Sequence, residues 1–250
     1  MARGAKRPGM TESAGGRLLV IGTPIGNLED ITLRALRMLG EVDALACEDT
    51  RHTRRIFERH GIAAPRLVFS YHEHNEERAS RKILELLAEG LRVGLCTNAG
   101  MPSISDPGYD AIAQATAAGF RVEVIPGPSA VETALVASGL PASSYTFKGF
   151  APRKPGPRKR FLESERDLPH TLVLFESPHR LGKLLADALE VLGDRRAAVC
   201  LELTKMFEQI DRGYLGELAE RYADCAVKGE VTVVIAGNHP KFSRGTEAPS

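Results

Sequence analysis

The sequence contains no apolar run approaching the roughly 20 residues that cross a bilayer, so no membrane-spanning helix and no membrane partner are expected. Its opening stretch, MARGAKRPGMTESAGG, is basic with no apolar segment inside it and does not read as a secretory leader. Residues 1–16 read as a disordered tail, as do residues 239–250. Cysteine is scarce: Cys47, Cys96, Cys200 and Cys225 form no C-x-x-C pair, so a structural zinc site or disulfide framework is not indicated. Buried free thiols in a reducing cytoplasm account for them. An excess of one charge is also missing, since 33 Lys and Arg stand against 32 Asp and Glu for a net charge of +1. A polyanionic partner must therefore be met by a local patch. Neither the phosphate loop G-x-x-x-x-G-K-S/T nor the dinucleotide fingerprint G-x-G-x-x-G occurs.

What is present is an α/β pattern. Hydrophobic residues make up 43% of 250 residues, enough for one large domain or two small ones. Strand-like runs at 17–22, 42–47, 67–70, 92–96 and 121–125 alternate with helix-like runs at 30–39, 50–60, 75–89 and 107–118. Asp30 is the expected N-cap of the first helix, with Leu33, Leu36 and Leu39 on its apolar side. Continuous apolar strands predict a buried, mostly parallel sheet with helices on both faces. The second half reads as helices at 128–138, up to 167, at 179–192 and at 214–226. Its strands fall at 146–150, 171–175, 197–203, 207–212 and 230–236, some without helices between them, which predicts a mixed sheet. The boundary falls at Pro126-Gly127-Pro128, giving domains at 17–127 and 128–238.

The stretch CTNAGMPSISDPG, residues 96–108, holds far more glycine, proline and serine than a plain turn needs. Gly22-Thr23-Pro24-Ile25-Gly26-Asn27 and Pro126-Gly127-Pro128-Ser129-Ala130 resemble it in composition, and each follows an expected strand. Turns use glycine and proline anyway. Three such loops at one end of a parallel sheet, where strand C-termini converge, favour a ligand site. Few basic side chains flank them, so a neutral, zwitterionic or weakly cationic ligand fits better than a triphosphate.

Polar groups gather at other strand ends: Glu48-Asp49-Thr50-Arg51-His52, Tyr71 to Glu76, Glu176 to Arg180, and Glu202 to Lys205. Capping explains Asp49 or Thr50, Asn75 and Ser177. It does not explain Arg51, His52, His179 and Arg180, since cations in a first turn oppose the helix dipole and are expected to face a ligand or a carboxylate. His72-Glu73-His74 has the right side chains for a metal, but no further ligand stands at a recognisable spacing, so no metal is assigned. Residues 151–160 carry Arg153, Lys154, Arg158, Lys159 and Arg160 with no acid before Glu163. Their prolines and Gly156 argue against a helix start there. The run reads either as a solvated loop tip or as a flexible arm for RNA phosphates. Phe147, Phe150 and Phe161 nearby are either core residues or stacking surfaces for bases.

In order, TPIGNLEDITLRAL, EDTRHT, NAGMPSISDPG, PGPSA, FESPHR and ELTKMFE run along the chain. Taken together they resemble the bacterial small-subunit ribosomal RNA cytidine-2′-O-methyltransferases, a branch of the tetrapyrrole methylase-like superfamily. The resemblance extends from Leu18 to Gly237, and EDTRHT and FESPHR are its most specific parts. It implies two α/β domains with a ligand cleft between them, S-adenosylmethionine as methyl donor, a homodimer, and the small ribosomal subunit or its 16S RNA as partner. Donor contacts carried over fall on Pro24, Ile25 and Gly26, on Thr97, Asn98, Ala99, Gly100 and Met101, and on Ser129 and Ala130. The family usually reads Ser-Asp-Ala-Gly where this chain has Thr97-Asn98-Ala99-Gly100, so Asn98 keeps an acceptor but loses a negative charge.

Methyl transfer to a ribose hydroxyl needs alignment and help in removing the proton. Glu48, Asp49, His52, Glu176, Glu202 and Lys205 are the candidates, with Glu176 and Lys205 foremost and Glu48 and Asp49 next. Lys205 would qualify as a base if burial lowered its pKa. RNA phosphates are assigned to Arg51, His52, Arg180 and the cations at 153–160. Three rivals stand beside this reading: a tetrapyrrole-type small-molecule methylase, a non-catalytic RNA-binding assembly factor, and a magnesium-dependent phosphatase.

Overall fold

The computed structural model describes residues 15–225 and 227–244. The tail segments expected at 1–14 and 245–250, and residue 226 at the end of an expected helix, lie outside the described residues. The described chain clusters into two compact units that are discontinuous in sequence. The first contains residues up to Gly22, Thr32–Asn98 and Asp106–Pro126; the second contains Thr23–Ile31, Ala99–Ser105 and the chain from Gly127 onward.

The first unit carries strands β1 (Arg17–Ile21), β2 (Ala44–Cys47), β3 (Leu67–Ser70), β4 (Arg92–Cys96) and β5 (Arg121–Ile125). All pair in parallel, in the order β3-β2-β4-β1-β5. Helices α1 (Leu33–Glu41), α2 (Thr50–His60), α3 (Glu76–Ala88) and α4 (Tyr109–Ala117) connect them. Side chains alternate across a strand. Leu18, Val20, Ala46, Val93 and Leu95 pack with Ile83 and Leu87 of α3 and Ala111 and Ala115 of α4. Their neighbours Leu19, Ile21 and Leu45 are equally buried, so both faces of the sheet are covered. This is the parallel sheet expected from its unbroken apolar runs. Because β4, β1 and β5 are adjacent, the chain leaves them side by side at residues 97, 22 and 126.

The second unit carries β6 (Tyr145–Phe150), β7 (Thr171–Glu176), β8 (Arg196–Leu201), β9 (Gln209–Tyr214) and β10 (Val231–Ile235) in the order β6-β7-β10-β8-β9. Only β6 and β7 are parallel; the other pairs are antiparallel, giving the mixed sheet expected. Helices α5 (Ala130–Ser138), α6 (Pro155–Glu163), α7 (Leu181–Leu192) and α8 (Leu215–Tyr222) belong to it. Leu172, Leu174, Val199, Leu201, Val233 and Ile235 pack with α6, α7 and α8. The alternate residues Val173, Ala198, Cys200 and Val234 pack with α5 and with Ile25. The 23–31 loop is thereby seated on one face of this sheet.

Four local expectations are corrected. The first helix starts at Leu33 rather than at Asp30: Leu28–Asp30 is a single 3-10 turn, and the Thr32 hydroxyl accepts from the Ala35 amide to cap the helix. Leu33 then lies 86% exposed, and Ala35, Met38 and Leu39 form the buried stripe. The basic run does start a helix, because Pro155 occupies the first turn, where a missing N–H costs no hydrogen bond. The helix expected to run to 226 stops at Tyr222, which leaves Cys225 outside it and exposed. Past Asn238, Pro240–Phe242 is a 3-10 turn, Ser243 bridges to Arg195, and the Arg244 guanidinium lies 3.7 Å from the Tyr214 ring.

Candidate active site

In the second unit the first two glycine–proline loops are joined. The Thr23 amide donates to the Gly100 carbonyl at 2.9 Å, and the Gly100 amide donates to the Thr23 carbonyl at 3.0 Å. Gly100 has φ +75°, a left-handed backbone that favours glycine. Ser103 and Ser105 also have positive φ, 73° and 61°, so the loop holds strain of the kind that concentrates at functional sites. Gly26 rests against the turn after β8: a Cβ there would lie 2.4 Å from Lys205 Cγ and 2.9 Å from the Leu203 carbonyl oxygen. Pro24, Ile25, Gly26, Ala99, Gly100, Met101, Ser129 and Ala130 all belong to this unit. Ser129 is the N-cap residue of α5, and Ala130 opens that helix.

Thr97 and Asn98 belong to the first unit, with the EDTRHT segment. The Asn98 amide donates to Glu48 Oε2 at 3.1 Å, so Glu48 braces the loop. The Asn98 side-chain oxygen Oδ1 is buried with no hydrogen-bond partner. Asp49 caps α2 through the Arg51 amide and is bound by the Arg51 side chain at 2.9 Å. Hydrogen bonds from Arg51 hold the Asp49 carboxyl down, to about 2. Arg51 and His52 are exposed on the first turn of α2. The exit of the 96–108 loop is tied down by Glu76, whose Oε1 accepts from the Gly108 amide at 3.0 Å and from the Tyr71 hydroxyl at 2.8 Å.

Glu176, at the end of β7 in the second unit, is 3% exposed. Its Oε1 accepts from the Ser177 amide at 2.7 Å and is ion-paired with Arg180. Its Oε2 is buried with no partner. A buried carboxylate oxygen without a donor is costly, and this one is an acceptor held ready for a hydroxyl. Arg180 meets a carboxylate, one of the two partners expected for it, and also donates to the Ala151 carbonyl at 3.3 Å. Lys205 Nζ sits between Glu202 Oε1 at 2.8 Å and Glu230 Oε2 at 2.9 Å. Burial works against its ammonium, but the two carboxylates outweigh burial and the pKa lies above the ordinary lysine value. The condition under which Lys205 would act as a base is not met. The turn that carries it is strained, with φ +50° at Glu202 and +65° at Thr204, and the Thr204 hydroxyl is buried without a partner.

The basic run divides by use. Arg158 is 3% exposed and bound to Asp187 at 2.6 Å, which takes it out of any phosphate-binding surface. Lys159 is paired with Glu190. Arg153, Lys154 and Arg160 are exposed and form no ion pair among the described residues. Three residues of this region escaped sequence reasoning: Thr23, Thr204 and Glu230. Thr23 carried a signal, standing next to Pro24 in the first loop. Glu230 carried none, because its approach to Lys205 spans 25 residues.

The sequence profile of the tetrapyrrole (corrin/porphyrin) methylases matches residues 17–219. The chain is 45% identical over 226 residues to the Ribosomal RNA small subunit methyltransferase I of Halalkalibacterium halodurans, covering 90% of this chain and 78% of that protein. It is 43% identical over 222 residues to the protein of the same name from Thermotoga maritima, covering 89% and 99%. Among solved structures, the uroporphyrin-III C-methyltransferase of Thermus thermophilus complexed with S-adenosylhomocysteine matches with a TM-score of 0.61. That match covers 88% of this chain and 97% of the other at 22% identity, a likeness of fold.

Proposed function

The chain belongs to the tetrapyrrole (corrin/porphyrin) methylase family, and from that premise we propose that it transfers a methyl group from S-adenosylmethionine to the ribose 2′-hydroxyl of a cytidine in small-subunit (16S) ribosomal RNA. One observation carries the reading: 43–45% identity, over 89–90% of the chain, to proteins named Ribosomal RNA small subunit methyltransferase I. The working form on this reading is a cytoplasmic homodimer acting on the small ribosomal subunit or its 16S RNA. Among the described residues no helix is long and apolar enough to cross a membrane.

The residues present suit such a donor, which brings a sulfonium, an ammonium and amino N–H groups. Asn98 offers a buried acceptor oxygen that nothing else uses. Gly26 and Gly100 are bare backbone positions, the one closely packed and the other left-handed. Thr97 and Asn98 in the first unit, and Pro24 to Gly26, Ala99 to Met101, Ser129 and Ala130 in the second, are the residues that would hold it. Bound there, the donor supplies an electrophilic methyl group.

The chain's own part in the chemistry falls to Glu176. Arg180 and the Ser177 amide fix one carboxylate oxygen, and the other is left to accept the proton of the attacking hydroxyl. Lys205 stays an ammonium and offsets negative charge as that proton leaves. Glu48 and Asp49 shape the loop and cap α2. Arg51, His52, Arg153, Lys154 and Arg160 are placed to meet phosphates. The test is methylation of unmodified small subunits with labelled donor, followed by nucleoside analysis. Label on a cytidine ribose is expected, and Glu176→Gln should lower turnover by about 100-fold or more with donor affinity unchanged. Label on a base, or none, overturns the reading; full turnover by Glu176→Gln removes that residue from it.

A further inference from the structure

The sheet edge that carries Glu176 also exposes large apolar side chains. Phe207 is 78% exposed, Met206 91% and Phe150 56%. Single exposed apolar residues are normal on soluble proteins, so placement has to decide. Phe150 pairs in register with Phe175, the residue before Glu176. On the other side of β7, Glu176 is opposite Val231 of β10, and Val231 is opposite Leu201 at the end of β8. Phe150, Glu176 and the 202–208 turn therefore follow one another along a single edge. With strands about 4.8 Å apart, Phe150 stands one spacing to one side of Glu176. The turn bearing Phe207 springs from two spacings to the other.

Both aromatics are mounted firmly. The Phe150 ring is braced edge-on against Phe175, with centroids 5.7 Å apart. The turn is closed by hydrogen bonds from the Lys205 amide to the Glu202 carbonyl at 3.0 Å and from the Glu208 amide to the Lys205 carbonyl at 3.1 Å. The Thr204 amide adds a third, to Glu208 Oε2 at 2.7 Å. A rigid mount lowers the entropy cost of binding. Cations adjoin each ring: Arg153 and Lys154 follow Phe150, and Lys205 precedes Met206. Unpaired bases stack on aromatic faces irrespective of sequence, beside cations that track the backbone.

We propose that Phe150 and Phe207 are base-stacking platforms on either side of Glu176, holding an unpaired stretch of RNA along this sheet edge with the target ribose between them. The inference rests on the ribosomal RNA reading above and adds that the substrate is single-stranded at the target. The experiment uses the full chain, unmodified small subunits and labelled S-adenosylmethionine, with Phe150→Ala, Phe207→Ala, Phe150→Tyr and Phe207→Trp. Each alanine variant should raise the KM for RNA roughly 5- to 100-fold while the Kd for donor stays unchanged, and the aromatic variants should restore it. Methylation by the wild type with an unaltered RNA KM in both alanine variants overturns the stacking proposal alone. A fall in sedimenting mass in either alanine variant assigns the edge to contact between copies of the chain and likewise overturns it. No methylation by the wild type overturns the functional reading itself, and the proposal with it.

Discussion

Lys205 shows how partners, rather than residue type, set a role. A lysine at a strand end has the chemistry of a base, yet two carboxylates at 2.8 and 2.9 Å favour its charged form. A group whose folded pKa is raised contributes stability below its unfolded value, about 10.4 for lysine, and loses it as pH rises through the folded value. Wild type should therefore melt above Lys205→Ala at pH 7, with the gap closing only in strongly alkaline solution, as thermal unfolding across that range would show. A constant gap would mean that the pairing does not stabilise the fold. Asn98 is the other informative residue. Its Oδ1 is a buried acceptor without a partner, so Asn98→Ala should weaken S-adenosylmethionine binding about tenfold, the worth of one hydrogen bond. Equal affinities by calorimetry would place the donor elsewhere.

Among elements, the 23–31 loop depends on contacts distant in sequence. Gly26→Ala would force a Cβ to within 2.4 Å of Lys205 Cγ and 2.9 Å of a backbone oxygen. Overpacking of this kind costs about 1–3 kcal/mol, and the melting temperature and donor affinity should fall together. Helix α6 depends on a buried pair. Arg158→Ala leaves Asp187 without its counter-charge and should cost about 3–5 kcal/mol by denaturant unfolding. Replacing both residues by apolar ones should cost less; an equal cost would show that packing, not charge, is what Arg158 supplies. Helices whose caps and apolar spacing agree were legible in the sequence. Residues 50–60 are an example, with Asp49 capping and Thr53, Ile56 and Phe57 buried. The start of α1 was not, because Asp30 and Thr32 are both good caps and only packing of Ala35 and Met38 chooses between them. Residues 155–163 were misread because proline breaks a helix interior but suits its first turn.

For the whole molecule, a net charge of +1 leaves RNA affinity to local cations. With Arg153, Lys154 and Arg160 as phosphate contacts, binding of single-stranded RNA should weaken with salt at a log–log slope of about −2. Replacing the three by alanine should bring the slope near zero, and a slope unaffected by that change would move the RNA surface elsewhere. The sequence by itself determined the α/β class, the parallel and mixed sheets, the position of most strands and the motifs that carry the family likeness. These follow from local periodicity and from short runs whose side chains must sit near one another along the chain. Only the tertiary structure decided that the Pro24–Gly26 loop rests on the turn after β8, that Arg158 is buried while Arg153 is free, that Glu230 reaches Lys205, and that one oxygen of Glu176 is buried without a partner. Each of these is a matter of which distant groups meet, and side-chain pairing across a fold leaves no periodic trace in the chain that encodes it.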